Sequence, residues 1–137
     1  MDLKLEVVPM PVTDVDRAKA FYTEQLGFHA DFDERPVEGI RFVQLTPPGS
    51  ACSIVIGEGV VEMQPGAQQG VMFVIDDADA ALAELTGKGV QTGPVDEQEW
   101  GRFLYVTDPD GNKLVLQQLP SYALKDDGSR KTVDERS

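Results

Sequence analysis

The 137-residue chain is short of almost everything that would mark a common chemistry. It has one cysteine, Cys52, and one histidine, His29. A single thiol cannot close an intrachain disulfide, and one Cys with one His cannot supply zinc-finger spacing. A reducing, cytoplasmic setting fits that usage. Basic residues are scarce, 12 Lys and Arg against 24 Asp and Glu, for a formal net charge of −12. So acidic a surface repels phosphate backbones and anionic headgroups, so neither nucleic acid nor membrane is expected as a partner. No glycine loop of the GxxxxGK kind occurs. The start, Met-Asp-Leu-Lys-Leu-Glu, has no basic segment followed by an apolar one, so no signal peptide is read there. Apolar runs such as Val71 to Ile75 fall far short of the roughly 20 residues of a membrane span. With 41% hydrophobic residues, a buried core is nonetheless available.

What the chain does have is one pattern written twice. Val12-Thr-Asp14-Val-Asp16-Arg-Ala18-Lys-Ala20 aligns with Ile75-Asp-Asp77-Ala-Asp79-Ala-Ala81-Leu-Ala83. Leu26-Gly27-Phe28 answers Lys88-Gly89-Val90, and Thr46-Pro-Pro-Gly49 answers Asp108-Pro-Asp-Gly111. Two copies at so long a period imply a duplicated supersecondary unit, not a solenoid. Each copy opens with an apolar strand, Glu6 to Val12 or Val71 to Ile75. Asp14 or Asp77 then supplies a helix N-cap. Ala18, Phe21, Tyr22 and Leu26, like Ala78, Ala81, Leu82 and Leu85, keep helical spacing, and Gly27 and Gly89 stand where the helix would end. Two or three strands follow in each copy, about Ala30 to Phe32, Ile40 to Thr46 and Cys52 to Gly57, then Val90 to Gly93, Arg102 to Thr107 and Lys113 to Gln117. The expected order is β-α-β-β-β, twice, an α+β chain. Residues 1–57 form the first module, 58–69 a linker, 70–119 the second module, and 120–137 a charged, mobile tail.

These residues resemble the vicinal oxygen chelate superfamily of glyoxalases, bleomycin-resistance proteins and extradiol dioxygenases. Val12-Thr-Asp14, Arg17-Ala18, Phe21-Tyr22 and Leu26-Gly-Phe28, followed by Asp108-Pro-Asp-Gly-Asn112, carry the resemblance over about residues 3 to 119. It implies two βαβββ modules whose sheets curl into a cup with helices outside, commonly as a homodimer. It also implies four metal-ligand positions, one in the opening and one in the closing strand of each module. Here they fall on Val7, Gly70, Ser53 and Val115. Hydrocarbon, hydrogen and a neutral hydroxyl are poor ligands for a divalent first-row ion, so no metal and no cofactor are expected. A one-residue shift would offer Glu6, but only by turning the whole strand over.

Strand parity anchored on those positions puts Val7, Pro9, Ser53, Val55, Met72, Val115 and Gln117 on the concave face. Trp100, Phe103 and Tyr105 cluster before the Asp108 turn, and Phe32, Arg41, Phe42 and Gln44 occupy the matching stretch of the first module. They suit an aromatic-lined pocket for a planar ligand, oriented by Arg41 or Gln44. The competing reading makes several of them core or dimer interface. Trp100 stands in a polar loop, Asp96 to Gly101, where no periodicity asks for it. His29 reads as a partly exposed residue opening a strand, because no second imidazole or thiol accompanies it. Cys52 reads as an inert buried thiol, on the helix side of its strand if Ser53 faces the cleft, and no nucleophile-base pair emerges. The expected function is metal-independent binding and sequestration of a small aromatic or cationic molecule, as in antibiotic resistance. A metal-dependent lyase, isomerase or dioxygenase with non-standard ligands is the alternative, and an interaction domain with a filled cavity the third reading.

Overall fold

A computed structural model describes residues 1–136. The elements run β1 (Val7–Pro9), α1 (Val15–Ala20), β2 (His29–Glu34), β3 (Arg41–Thr46), β4 (Ser53–Glu58), β5 (Gln69–Ile75), α2 (Ala78–Gly87), β6 (Asp96–Gln98), β7 (Gly101–Thr107) and β8 (Lys113–Gln118). They make two four-stranded sheets of identical order, β1-β4-β3-β2 and β5-β8-β7-β6. The doubled βαβββ pattern is therefore present. The chain forms two compact units, Met1–Gly70 with Thr107–Lys113, and Val71–Val106 with the residues from Leu114 on.

The first sheet is mixed. β1 lies parallel to β4 with Val7 beside Ser53 and Pro9 beside Val55, while β3 is antiparallel to both β4 and β2. β1 is shorter than the hydrophobic run from Glu6 to Val12. Pro9 and Pro11 lack the N–H a ladder needs, and single bonds from Ser53 N to Glu6 O and from Met10 N to Val55 O finish its ends. Burial alternates along β3: Arg41, Val43 and Leu45 are buried, whereas Phe42, Gln44 and Thr46 are half-buried. The first set joins Ile54, Ile56, Ala18, Phe21 and Tyr22 in the core.

Both helices start as their sequences suggest. Asp14 Oδ1 accepts from Arg17 N at 3.0 Å, and Asp77 Oδ1 from Asp79 N and Ala80 N at 2.9 and 3.1 Å. The first does not stay α-helical to Leu26. It widens into a π-helical turn over Phe21–Gln25, with Leu26 N reaching back to Phe21 O. Thr23 supplies a reason: its hydroxyl donates to Lys19 O at 2.7 Å and competes with the backbone for that carbonyl. Gly27, at φ 79°, then turns the chain out of the helix.

The second module departs from expectation once. Val90 to Gly93 contributes only a single antiparallel bridge, Thr92 to Val106, and the strand proper is Asp96–Gln98. Gly93 and Pro94 interrupt the ladder, since proline has no N–H to give. Asp96 pairs with Phe103 and Gln98 with Gly101, so Glu99 and Trp100 form a tight hairpin turn, not an irregular loop.

The Asp108 turn belongs to the first unit and fastens itself there. Asp108 Oδ1 accepts from the N–H groups of Asp110 and Asn112, both at 2.9 Å. Its Oδ2 accepts from Tyr22 Oη and Asn112 Nδ2, both at 2.8 Å. Asn112, fully buried, also donates to Pro11 O at 2.7 Å and accepts from Gln68 N at 3.1 Å. Burial, then the neighbouring carboxylate, pushes the Tyr22 phenol far above its ordinary range and keeps it a donor. The segment after β8, expected to be a mobile tail, makes 3-10 turns at Ser121–Ala123 and Asp134–Arg136 and a bridge between Leu124 and Arg130. Among the described residues no helix is long and apolar enough to cross a membrane.

Candidate functional site

In the first unit α1 packs against β4 on one face of the sheet. The cross-strand register defines the second face. Phe32 lies opposite Gln44, Gln44 opposite Val55, and Val55 opposite Pro9, so these four side chains form one row across the sheet. The adjacent row holds Val7 beside Ser53, with Thr46 hydrogen-bonded to Ser53 and His29 paired with Thr46. Phe32 is 52% exposed, a large aromatic ring left uncovered at the end of its row. Val7, Pro9, Ser53 and Val55 thus share one face, as strand parity suggests, and the register adds Phe32, Phe42 and Gln44 to it.

Arg41 does not. It is one residue out of phase with Phe42 and Gln44 and points toward α1. Its Nε and Nη2 make a two-point contact with Asp33 at 3.0 and 2.9 Å, and its Nη1 reaches Asp16 in the first turn of α1 at 2.8 Å. Only 8% of Arg41 is exposed. Hydrogen bonds from Arg41 and then Lys19 hold the Asp33 carboxyl well below the usual range. The expectation that Arg41 orients a ligand is therefore corrected. Its guanidinium is spent on fastening β2 and β3 to the helix.

In the second unit, Arg102 plays the corresponding part. It bonds Asp79 on α2 and Glu97 on β6, while Gln118 Oε1 accepts from Ala78 N at the helix start. Alternation then turns Phe103, Tyr105, Val115 and Gln117 to the other face. Phe103 and Tyr105 stack there with ring centroids 6.5 Å apart and planes 8° from parallel. Tyr105 Oη donates to Asp96 Oδ2 at 2.6 Å, which fixes the ring and raises the phenol pKa. Trp100 is 57% exposed on its hairpin turn, and its carbonyl accepts from Gln117 Nε2 at 2.9 Å. Gly101 follows at φ 145°; a Cβ there would meet Gln118 O at 2.7 Å. Met72 is an exposed residue of β5.

The four positions that metal-dependent relatives would use can now be tested as donors. Val7 and Val115 offer hydrocarbon, and Gly70 has no side chain. Ser53 is buried, accepts from Gln44 Nε2 at 3.1 Å, and lies 2.6 Å from Thr46 Oγ1. Among the described residues, no three His, Cys, Asp or Glu side chains gather where they could hold a cation. The residues present do not fit a divalent metal.

Two participants escaped the sequence reading. Thr46 shares the parity of Gln44, so alternation alone could have found it. Asp31 could not be found that way. A bulge between Ala30 and Phe32 leaves it without a cross-strand partner, and it accepts a hydrogen bond from Thr46 Oγ1. His29 opens β2 with an exposed imidazole, Nε2 3.8 Å from Asp31 Oδ1. Cys52, expected buried on the helix side of its strand, is instead half-buried just before β4, and burial, then the Glu6 carboxylate, pushes its thiol up.

Repeated βαβββ order, matching sheets and the Asp108 turn define a class of fold, and comparison with known proteins agrees. The chain belongs to the glyoxalase/bleomycin resistance protein/dioxygenase superfamily, whose family pattern matches residues 4–116. It is similar to the antibiotic binding protein TnmS3 from Streptomyces sp. CB03234, with 34% identity and a TM-score of 0.79 over 87% of this chain and 98% of that one. A glyoxalase/bleomycin resistance protein from the same source shows 36% identity and a TM-score of 0.75, covering 84% of this chain and 100% of the other. YetH of Bacillus subtilis (strain 168), an uncharacterized protein, is 27% identical across 84% of this chain and 98% of its own length.

Proposed function

We propose that this protein binds and sequesters a small aromatic molecule, without a metal, on the helix-free faces of its sheets. One observation carries the reading. Where a metal-dependent relative would present ligands, the chain has Val7, Ser53, Gly70 and Val115, while Phe32, Tyr105 and Trp100 stand uncovered and Phe103 backs Tyr105. Flat apolar rings with a few fixed polar atoms favour a planar ligand by stacking and area burial. The net charge of −12 favours the approach of a cationic one. Similarity to a protein described as antibiotic binding supports the same reading and suggests a resistance role. Assembly as a homodimer and residence in a reducing cytoplasm are part of the proposal.

Dialysed protein titrated with Ni, Zn, Mn and Fe should retain no stoichiometric metal. A thermal-shift screen against aromatic metabolites and antibiotics should find compounds that raise Tm, since a ligand of the native state stabilises it. One equivalent of tightly held metal, lost in Ser53→Ala, would replace this reading with a metal-dependent lyase, isomerase or dioxygenase.

A further inference from the structure

The first unit holds a chain of four side chains whose hydrogen-bond direction can be worked out from one end. An ionised carboxylate has lone pairs and no hydrogen to give, so Asp31 can only accept, and Thr46 Oγ1 must donate to it. A threonine hydroxyl carries a single hydrogen. With that hydrogen spent on Asp31, the 2.6 Å contact between Thr46 Oγ1 and Ser53 Oγ has one possible donor, Ser53. Ser53 has then spent its own hydrogen and can only accept. That matches Gln44, whose Nε2 donates to Ser53 Oγ at 3.1 Å. The relay therefore fixes which way the Gln44 amide faces. Its NH2 group turns along the sheet toward Ser53, and its carbonyl oxygen, Oε1, has no protein donor among the described residues.

Gln44 lies in the row with Phe32, Val55 and Pro9, with the exposed Phe32 ring its direct cross-strand neighbour. We infer that Gln44 Oε1 is the polar specificity determinant of this face, and that the ligand is a planar aromatic molecule carrying an O–H or N–H donor. The inference rests on the small-molecule-binding reading above. It adds a selection rule: donor-bearing rings are accepted, and rings offering only acceptors meet a carbonyl lone pair with nothing to pair with. Thr46 and Asp31 are positioning residues. They act through Ser53 by setting the direction of the chain.

Two measurements test this. A neutron structure of the deuterium-exchanged, ligand-free protein reads the relay itself. Deuterium on Ser53 Oγ aimed at Thr46 supports the inference; deuterium on Thr46 Oγ1 aimed at Ser53 overturns it. Calorimetry with 2-naphthol and 2-methoxynaphthalene, matched rings with and without a donor, reads the selection. The naphthol should bind about tenfold more tightly, the equivalent of one hydrogen bond. Thr46→Val is close in shape, but it frees the Ser53 hydrogen and lets the Gln44 amide turn over. The preference should then shrink to about twofold or reverse, with affinity for the methyl ether kept or improved. A purely structural role for Thr46 would weaken both probes alike and keep their ratio. Equal binding of both probes to the unaltered protein sinks the selection rule alone. If the neutron structure shows the stated direction and neither probe binds, the binding reading beneath it fails.

Discussion

Replacing Arg41 separates a scaffold role from a ligand role, because the two predict opposite results. In the structure Arg41 is buried on the helix side of β3, doubly bonded to Asp33 and singly to Asp16. Arg41→Leu removes three charge-assisted bonds at once. Breaking a fully buried ion pair costs about 3–5 kcal/mol. The Asp16 side chain is 84% exposed and that of Asp33 26%, so solvent can rehydrate both carboxylates. That lowers the expected loss to about 2–3 kcal/mol at pH 7. Urea unfolding should show it as a lower midpoint at unchanged slope. The loss should also depend on pH in a definite direction. Asp33 is held below its unfolded value of 3.8, so its contribution is complete above about pH 5 and fades as pH falls through 3.8 and lower. The gap between the parent protein and Arg41→Leu should therefore narrow in acid. Affinity for any aromatic ligand found by thermal shift should change less than about threefold, which is within ordinary indirect effects of a surface-remote substitution. An unchanged urea midpoint together with a large loss of affinity would refute the assignment and return Arg41 to the binding face.

Two further outcomes test how the polar scaffold and the hairpin are built. Tyr22→Phe keeps the ring contacts with Phe21 and Phe28 but removes one donor from the Asp108 carboxylate, which retains three. The expected cost is about 1.5–2 kcal/mol, read by urea or thermal unfolding, and a neutral result would mean the clasp is decoration. Gly101→Ala forces a side chain into a left-handed position against Gln118 O. It should cost about 1–3 kcal/mol and displace Trp100, seen as a shift in its fluorescence maximum. An unchanged spectrum with parental stability would show that the turn tolerates a Cβ.

Much of this protein was legible in one dimension, because its repeated signals are local. Asp14 and Asp77 cap helices through their own side chains, Gly27 and Gly89 end them, and period-two burial marks β3. Such features depend on residues within a few positions of each other, so spacing reveals them. The face of a strand is equally local once one residue is anchored, which is how Val7, Pro9, Ser53 and Val55 were grouped; Gln44 and Phe103 took their faces only from the folded strands. Arg41 was grouped with Phe42 and Gln44 for its chemistry, without applying parity, which would have set it with the buried Val43 and Leu45. The remainder needed the folded chain. Pro94 moved a strand from Val90 to Asp96, and a bulge freed Asp31 to accept from Thr46. Tyr22 met Asp108 across 86 residues. Hydrogen bonds between distant side chains are decided by where whole strands come to rest, and no local periodicity encodes that. The direction in which Gln44 presents its amide is the sharpest case: it is set by a carboxylate three hydrogen bonds away, which only the tertiary structure brings within reach.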